Sequence, residues 1–283
     1  MSQVIDAHHH FWDPETTEYP WLTDELAPIR RRFGPEDLSP NLVLAGVDAT
    51  VLVQTRSSLD ETREFLGIAS ATPYIRGVVG WLDLTDPGIT DTIAELRASA
   101  GGERLVGIRH LVHDESDPDW LLRPDVQRGI AAIGRAGLVY DLLVRSRELP
   151  AATALVRRLP DVRFVVDHLA KPQIALGRRE PWASLMAELG PCQNVAAKLS
   201  GLVTEADWTG WTASDIQPFV DVALEVFGPS RIMFGSDWPV CLLAAPYEVV
   251  LGAARTMTSR LSPTERAAIF SRTAELVYGL AAP

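Results

Sequence analysis

Four residues of this 283-residue chain have the types and spacing for hydrolytic chemistry. His8 and His10 stand two apart in "VIDAHHHFWD", residues 4–13. His168 follows "RFVVD", and Asp237 follows "IMFGS". Residues i and i+2 of a strand share a face, so His8 and His10 can point into one interior while His9 points away. An acid at the end of a buried apolar run is costly unless it is paired, metal-bound or reactive. Three imidazoles and a carboxylate suit a divalent ion such as zinc, which polarises a carbonyl and acidifies a bound water. Asp237 could then take the water's proton and pass it to a leaving group. Without a metal, the imidazoles would instead donate to the carbonyl oxygen while Asp237 activates water.

Eight short apolar stretches rich in β-branched residues must position these groups. They are residues 4–8, 47–54, 75–84, 105–112, 138–144, 163–170, 194–202 and 231–240. Each is close to continuously apolar, as expected of parallel strands covered on both faces. Helix-like stretches alternate with them, at 58–71, 91–102, 123–137, 148–159, 181–190 and 213–228, with Pro218 disturbing the last. This alternation predicts an α/β fold, a (β/α)8 TIM barrel, as a single domain over 1–283. Closing helices are expected at about 247–280, with a capping box at Ser262 and Glu265. The loop from 11 to 38 carries Trp12 and Trp21 and should cover one end of the barrel. A doubly wound sheet is the alternative, but no Gly-rich fingerprint follows the first strand.

Composition narrows the function. The net charge is −11, which argues against nucleic acid as a partner, since phosphate binding needs clustered Lys and Arg. Hydrophobic residues make up 47%, enough for a sizeable core. No uninterrupted apolar run is long enough for a membrane span, and no signal-like segment opens the chain. Two distant cysteines, Cys192 and Cys241, favour a reducing, cytoplasmic setting over a disulfide framework.

Barrel active sites form at the C-terminal ends of strands. With His9 set aside, all five remaining histidines fall at such ends. Candidate substrate contacts there are Gln54, Trp81, Arg109, His110, Asp141 and Trp238. Arg109 and His110 are adjacent and must face opposite ways; Arg109 either binds substrate or pairs with Asp141 or Asp83. Lys171 and Lys198 are read as partners of Asp167 or Asp141, and His113 as a loop residue. Trp208 and Trp211 form a rim or simply pack.

"DAHHHFW", "DHLAKP" and "FGSDWPV", with "YPWL" after the first, resemble the amidohydrolase superfamily in its amidohydrolase-2, lactonase-like group. Within that group the match is nearest to sugar-acid lactonases such as L-fuconolactone hydrolase. The similarity runs from residue 4 to about 280. It implies a barrel whose site is His8, His10, His168 and Asp237, with Asp237 as general base. Many binuclear members carry a carboxylated Lys at strand four and a His at strand five. Here those strands offer Arg109–His110 and Asp141, so a bridged metal pair is not expected. The implied cofactor is one divalent ion, zinc by its donors, or none.

The expectation is therefore a carboxylic-ester hydrolase that opens a sugar lactone to its aldonic acid, acting as a monomer or homodimer. Alternatives are a metal-dependent decarboxylase, a dicarboxylate-lactone hydrolase, or a sugar-binding barrel without catalysis.

Overall fold

The computed structural model describes residues 3–280; the outermost positions of the expected 1–283 domain lie outside them. Eight parallel strands pair in chain order: β1 (Ile5–His9), β2 (Ala49–Val53), β3 (Ile75–Gly80), β4 (Leu105–His110), β5 (Val139–Leu142), β6 (Phe164–Val166), β7 (Val195–Leu199) and β8 (Ile232–Phe234). The ring closes just past β8. The Asp237 amide donates to the His8 carbonyl at 2.8 Å, and the His10 amide to the Trp238 carbonyl at 2.7 Å. With helices between the strands, this is a (β/α)8 barrel.

The helices are α1 (Pro35–Ala45), α2 (Leu59–Ala71), α3 (Ile89–Ala98), α4 (Pro124–Arg135), α5 (Leu149–Arg158), α6 (Trp182–Leu189) and α7 (Ala213–Phe227), then α8 (Tyr247–Met257), α9 (Pro263–Ala267) and α10 (Thr273–Tyr278). Pro218 lies inside α7 without ending it. Ser262 and Glu265 make the reciprocal cap of α9, at 2.8 and 3.3 Å. Helix α1 falls where the sequence reads as the end of a long loop. Pro35 and Pro40 look like breakers there, yet Pro35 opens the first turn with its fixed φ, and Gly46 ends the helix at φ 66°.

Two apolar layers hold the barrel. One lies between strands and outer helices. The other fills the interior with Ile5, Val51, Val79, Val139, Val165 and Met233, and is floored by Ala274, Tyr278 and Leu280 from the C-terminal end. Two residues beyond Val139, Val165 and Ala196, on the same strand faces, come Asp141, Asp167 and Lys198. The interior thus turns from apolar to charged in one strand step, directly beneath the site.

Candidate active site

A cavity of about 440 Å³ opens above that charged layer. His10, Arg109, His168 and Asp237 line it, and His8 lies fully buried beside them. His8 Nε2 is 3.1 Å from His10 Nε2. Asp237 Oδ1 faces three imidazoles, at 3.3 Å from His10 Nε2, 3.7 Å from His8 Nε2 and 3.9 Å from His168 Nε2. His9 turns away and meets Thr50 Oγ1 at 2.9 Å. The closing bonds between β1 and the segment after β8 set this spacing, because they run through His8, His10 and Asp237 themselves.

His168 and Asp237 sit on unusual backbone. Strand β6 ends after three residues, and His168, Leu169, Ala170 and Lys171 all take φ between 49° and 59°. Asp237 takes φ 57°. Left-handed backbone costs L-residues about 1–2 kcal/mol each. Such strain persists where surrounding structure enforces it, and it gathers at functional sites. Gly201, at φ 63°, makes room for the site: a Cβ there would overlap His168 Nδ1 and lie 3.0 Å from Asp237 Oδ2. A Cβ on Gly235 would fall 2.6 Å from His8 Cβ.

Beneath the histidines the charges interlock. Lys198 reaches Asp141 at 2.6 Å, Asp167 at 3.0 Å and His8 Nδ1 at 3.1 Å. Arg109 donates to Asp167 Oδ2 at 2.9 Å and to the Gln54 carbonyl. Ser200 Oγ lies 2.9 Å from His168 Nδ1. Burial, then the nearby Lys198 charge, holds the His8 imidazole well below its usual pKa. Burial lowers His168 to about 4, so both rings are neutral near pH 7. Burial pushes the Asp237 carboxyl up, but His168, His10 and Lys171 outweigh it and leave it below its usual value. Asp237 is therefore an ionised, buried carboxylate beside the neutral rings of His8 and His168.

Of the six expected substrate contacts, the cavity takes only Arg109. Its ionic partner is Asp167, not Asp141 or Asp83. His110 faces the other side of β4, as strand alternation requires. It accepts from Trp81 Nε1 at 3.0 Å, meets Glu115 at 2.8 Å and stacks on Trp120 at 4.3 Å. Trp81 is thus committed outside the cavity as well. Trp238 follows Asp237 and points away from it, packing edge-on against Phe11 and Phe33. Gln54 is buried and donates to the Arg109 carbonyl at 3.3 Å. Asp141 is locked by Lys198 and by Tyr278 Oη at 2.7 Å.

Other residues take their places. Trp12, Trp21 and Leu26 from the long loop line the cavity, as do His113, Arg145 and Trp208. Lys171 lines it too, paired with Glu205 at 2.6 Å rather than with Asp167 or Asp141. The loop tryptophans were legible as a cover. Arg145 and Glu205 carried no spacing signal, being loop residues placed by the barrel alone. Asp6 was missed outright. It is fully buried and accepts from Ser236 N and Oγ, Tyr247 Oη and His8 N. The signal was available, since it too is an acid within a buried apolar strand.

Comparison with known proteins agrees with this architecture. The family model described as "Amidohydrolase" matches residues 5–280. The chain belongs to the amidohydrolase family. An L-fucono-1,5-lactonase of Burkholderia multivorans is 40% identical over 99% of this chain and 97% of the relative. An L-fucono-1,5-lactonase of Burkholderia ambifaria is also 40% identical, over 100% of this chain and 98% of its own. A crystal structure of an amidohydrolase from Burkholderia multivorans with bound zinc superposes with a TM-score of 0.92 at 39% identity, covering 99% of this chain and 100% of that one.

In this amidohydrolase the donor set fits a divalent ion. One ligand atom each of His8, His168 and Asp237 lies within 4.8 Å of the others, and all three residues are buried. His10 offers a fourth donor beside them: its Nδ1 donates to the Val53 carbonyl at 2.7 Å, which leaves Nε2 facing the group. No helix among the described residues is long and apolar enough to cross a membrane.

Proposed function

We propose that this amidohydrolase opens a sugar lactone of the L-fucono-1,5-lactone kind to its aldonic acid. The observation that carries the reading is the ionised Asp237 carboxylate, buried among His8, His10 and His168 at one side of a lactone-sized cavity. Full-length likeness to two L-fucono-1,5-lactonases supports the substrate class.

Asp237 is the general base. Its Oδ1 is occupied by the imidazoles, and its Oδ2 lies on the Gly201 side. A water positioned there gives its proton to Asp237 as its oxygen attacks the lactone carbonyl carbon. When the ring C–O bond breaks, Asp237 returns that proton to the departing ring oxygen. His8, His168 and Asp237, with His10 beside them, would hold a divalent ion, zinc by its donors. When bound, such an ion supplies Lewis-acid polarisation of the carbonyl. Ser200 orients His168, and Arg109 borders the carbonyl site with its charge balanced by Asp167.

The charge layout supports a lactone with hydroxyls rather than a dicarboxylate. Arg109 is tied to Asp167 and Lys171 to Glu205, so among the described residues only Arg145 lines the cavity as an Arg or Lys without an acidic partner, one cation where two carboxylates would ask for more. The apolar and aromatic wall of Leu26, Leu111, Leu143 and Trp208 suits a sugar ring face. The same reading takes the enzyme as cytoplasmic, in keeping with free thiols at Cys192 and Cys241, and as a monomer or homodimer.

A pH-indicator assay over a panel of aldonolactones tests the reaction. One acid equivalent released per lactone opened is expected. Carbon dioxide release from a carboxylic substrate, with no lactone opened, overturns the assignment.

A further inference from the structure

Arg145 follows β5 closely, is exposed, and lines the cavity. Its backbone is tied down: the amide donates to Glu148 Oε2 at 2.9 Å. Glu148 is buried and also accepts from Arg147 Nε, so the carboxylate nearest to Arg145 in sequence is taken. Arg147 Nη2 donates in turn to the Glu115 carbonyl at 2.5 Å, and the His113 amide to the Leu143 carbonyl at 3.1 Å. These bonds join the loops after β4 and β5 into one wall, and they leave the Arg145 guanidinium free on it. The other Arg and Lys of the cavity are paired, Arg109 with Asp167 and Lys171 with Glu205. Burial, then the charges of Lys171, Arg145 and Arg109, lowers His113 on the same wall to about 3, so that imidazole is neutral near pH 7. Among the described residues, Arg145 is thus the cationic donor of the cavity that lacks a partner.

The ring of strands closes between β8 and β1, beside Asp237, His8 and His10, so β4 and β5 stand on the opposite side of the barrel. A lactone with its carbonyl at Asp237 turns the far side of its ring toward Arg145. In a six-membered lactone C4 lies across the ring from the carbonyl carbon, with C3 beside it. The N–H groups of a guanidinium form a planar fork that donates to two oxygens at once. Hydroxyls suit this wall better than an anionic group, because Asp114 and Glu205 line the same cavity and would repel an anion. We propose that Arg145 is a specificity-determining residue whose guanidinium donates to the adjacent hydroxyls on C3 and C4 of the bound lactone. It selects hydroxylated rings at the end of the cavity remote from the chemistry. The proposal rests on the site being that of a lactone hydrolase.

Steady-state kinetics of the full chain and of Arg145→Met test it. The change removes the donors at an exposed position and keeps the backbone bond to Glu148. KM for L-fucono-1,5-lactone should rise at least about tenfold, as expected for losing hydrogen bonds to a charged group, with kcat within about threefold. δ-Valerolactone, the six-membered ring without hydroxyls, should be opened with equal kcat/KM by both proteins, or should compete equally with L-fucono-1,5-lactone where neither opens it. An unchanged KM for L-fucono-1,5-lactone, a loss confined to kcat, or an equal loss with both lactones overturns the proposal. Wild-type protein that opens no lactone overturns the hydrolase assignment beneath it, an outcome separate from lactone opening that Arg145→Met leaves untouched.

Discussion

The backbone amide of Asp237 donates to the carbonyl of His8 at 2.8 Å, so the bond that closes the barrel also joins two residues of the candidate site. Asp6 braces this seam. Its two oxygens accept from Ser236 N at 2.8 Å, Ser236 Oγ at 2.6 Å, Tyr247 Oη at 3.0 Å and His8 N at 3.2 Å.

Replacing Asp6 with Ala leaves these donors without their carboxylate in a fully buried place. Each unsatisfied buried group costs about 1–3 kcal/mol, so Asp6→Ala should lose at least about 3 kcal/mol in denaturant unfolding. A loss under about 1 kcal/mol contradicts the bracing role.

Asp237→Asn keeps the shape of the side chain and removes the base. Turnover of an aldonolactone should fall about 10²- to 10⁴-fold with the melting temperature little changed. Near-normal turnover defeats the assignment of Asp237.

Gly201→Ala adds a methyl at φ 63°, against His168 Nδ1 and 3.0 Å from Asp237 Oδ2. Displacing reacting groups by about 1 Å can cost about 10²-fold, and that loss in kcat is expected here. Strain in left-handed backbone should also lower stability by about 1–2 kcal/mol. Full activity in a stable Gly201→Ala protein shows that the close fit is not needed.

Ser200→Ala removes the hydroxyl 2.9 Å from His168 Nδ1. Loss of a group that orients a metal-binding imidazole weakens metal affinity or activity about 10- to 100-fold. Chelator competition for zinc reads this directly, and unchanged affinity together with unchanged turnover removes Ser200 from the site.

Periodicity carried the fold. Eight apolar β-branched runs alternating with helices can bury themselves in few other ways, and the parallel barrel follows from that need. The same logic singled out four residues that the barrel brings together. A His pair two apart on a buried strand and polar residues ending apolar runs are costly enough to mark themselves, as His8, His10, His168 and Asp237 did. Helix α1 was hidden because its prolines, at a first turn and just inside, look like breakers in one dimension. The flanking contacts were harder still. His110 and Trp238 are next to Arg109 and Asp237 in sequence, but strand alternation and the turn after β8 send them outward. Lys198 could be paired with Asp141 or Asp167 from sequence; only the barrel showed that it takes both, and His8 Nδ1 as well. Sequence determined which residue types had to be buried and at what period. Tertiary structure decided which of them meet, because hydrogen-bond partners are fixed by where strands from distant parts of the chain close around one axis.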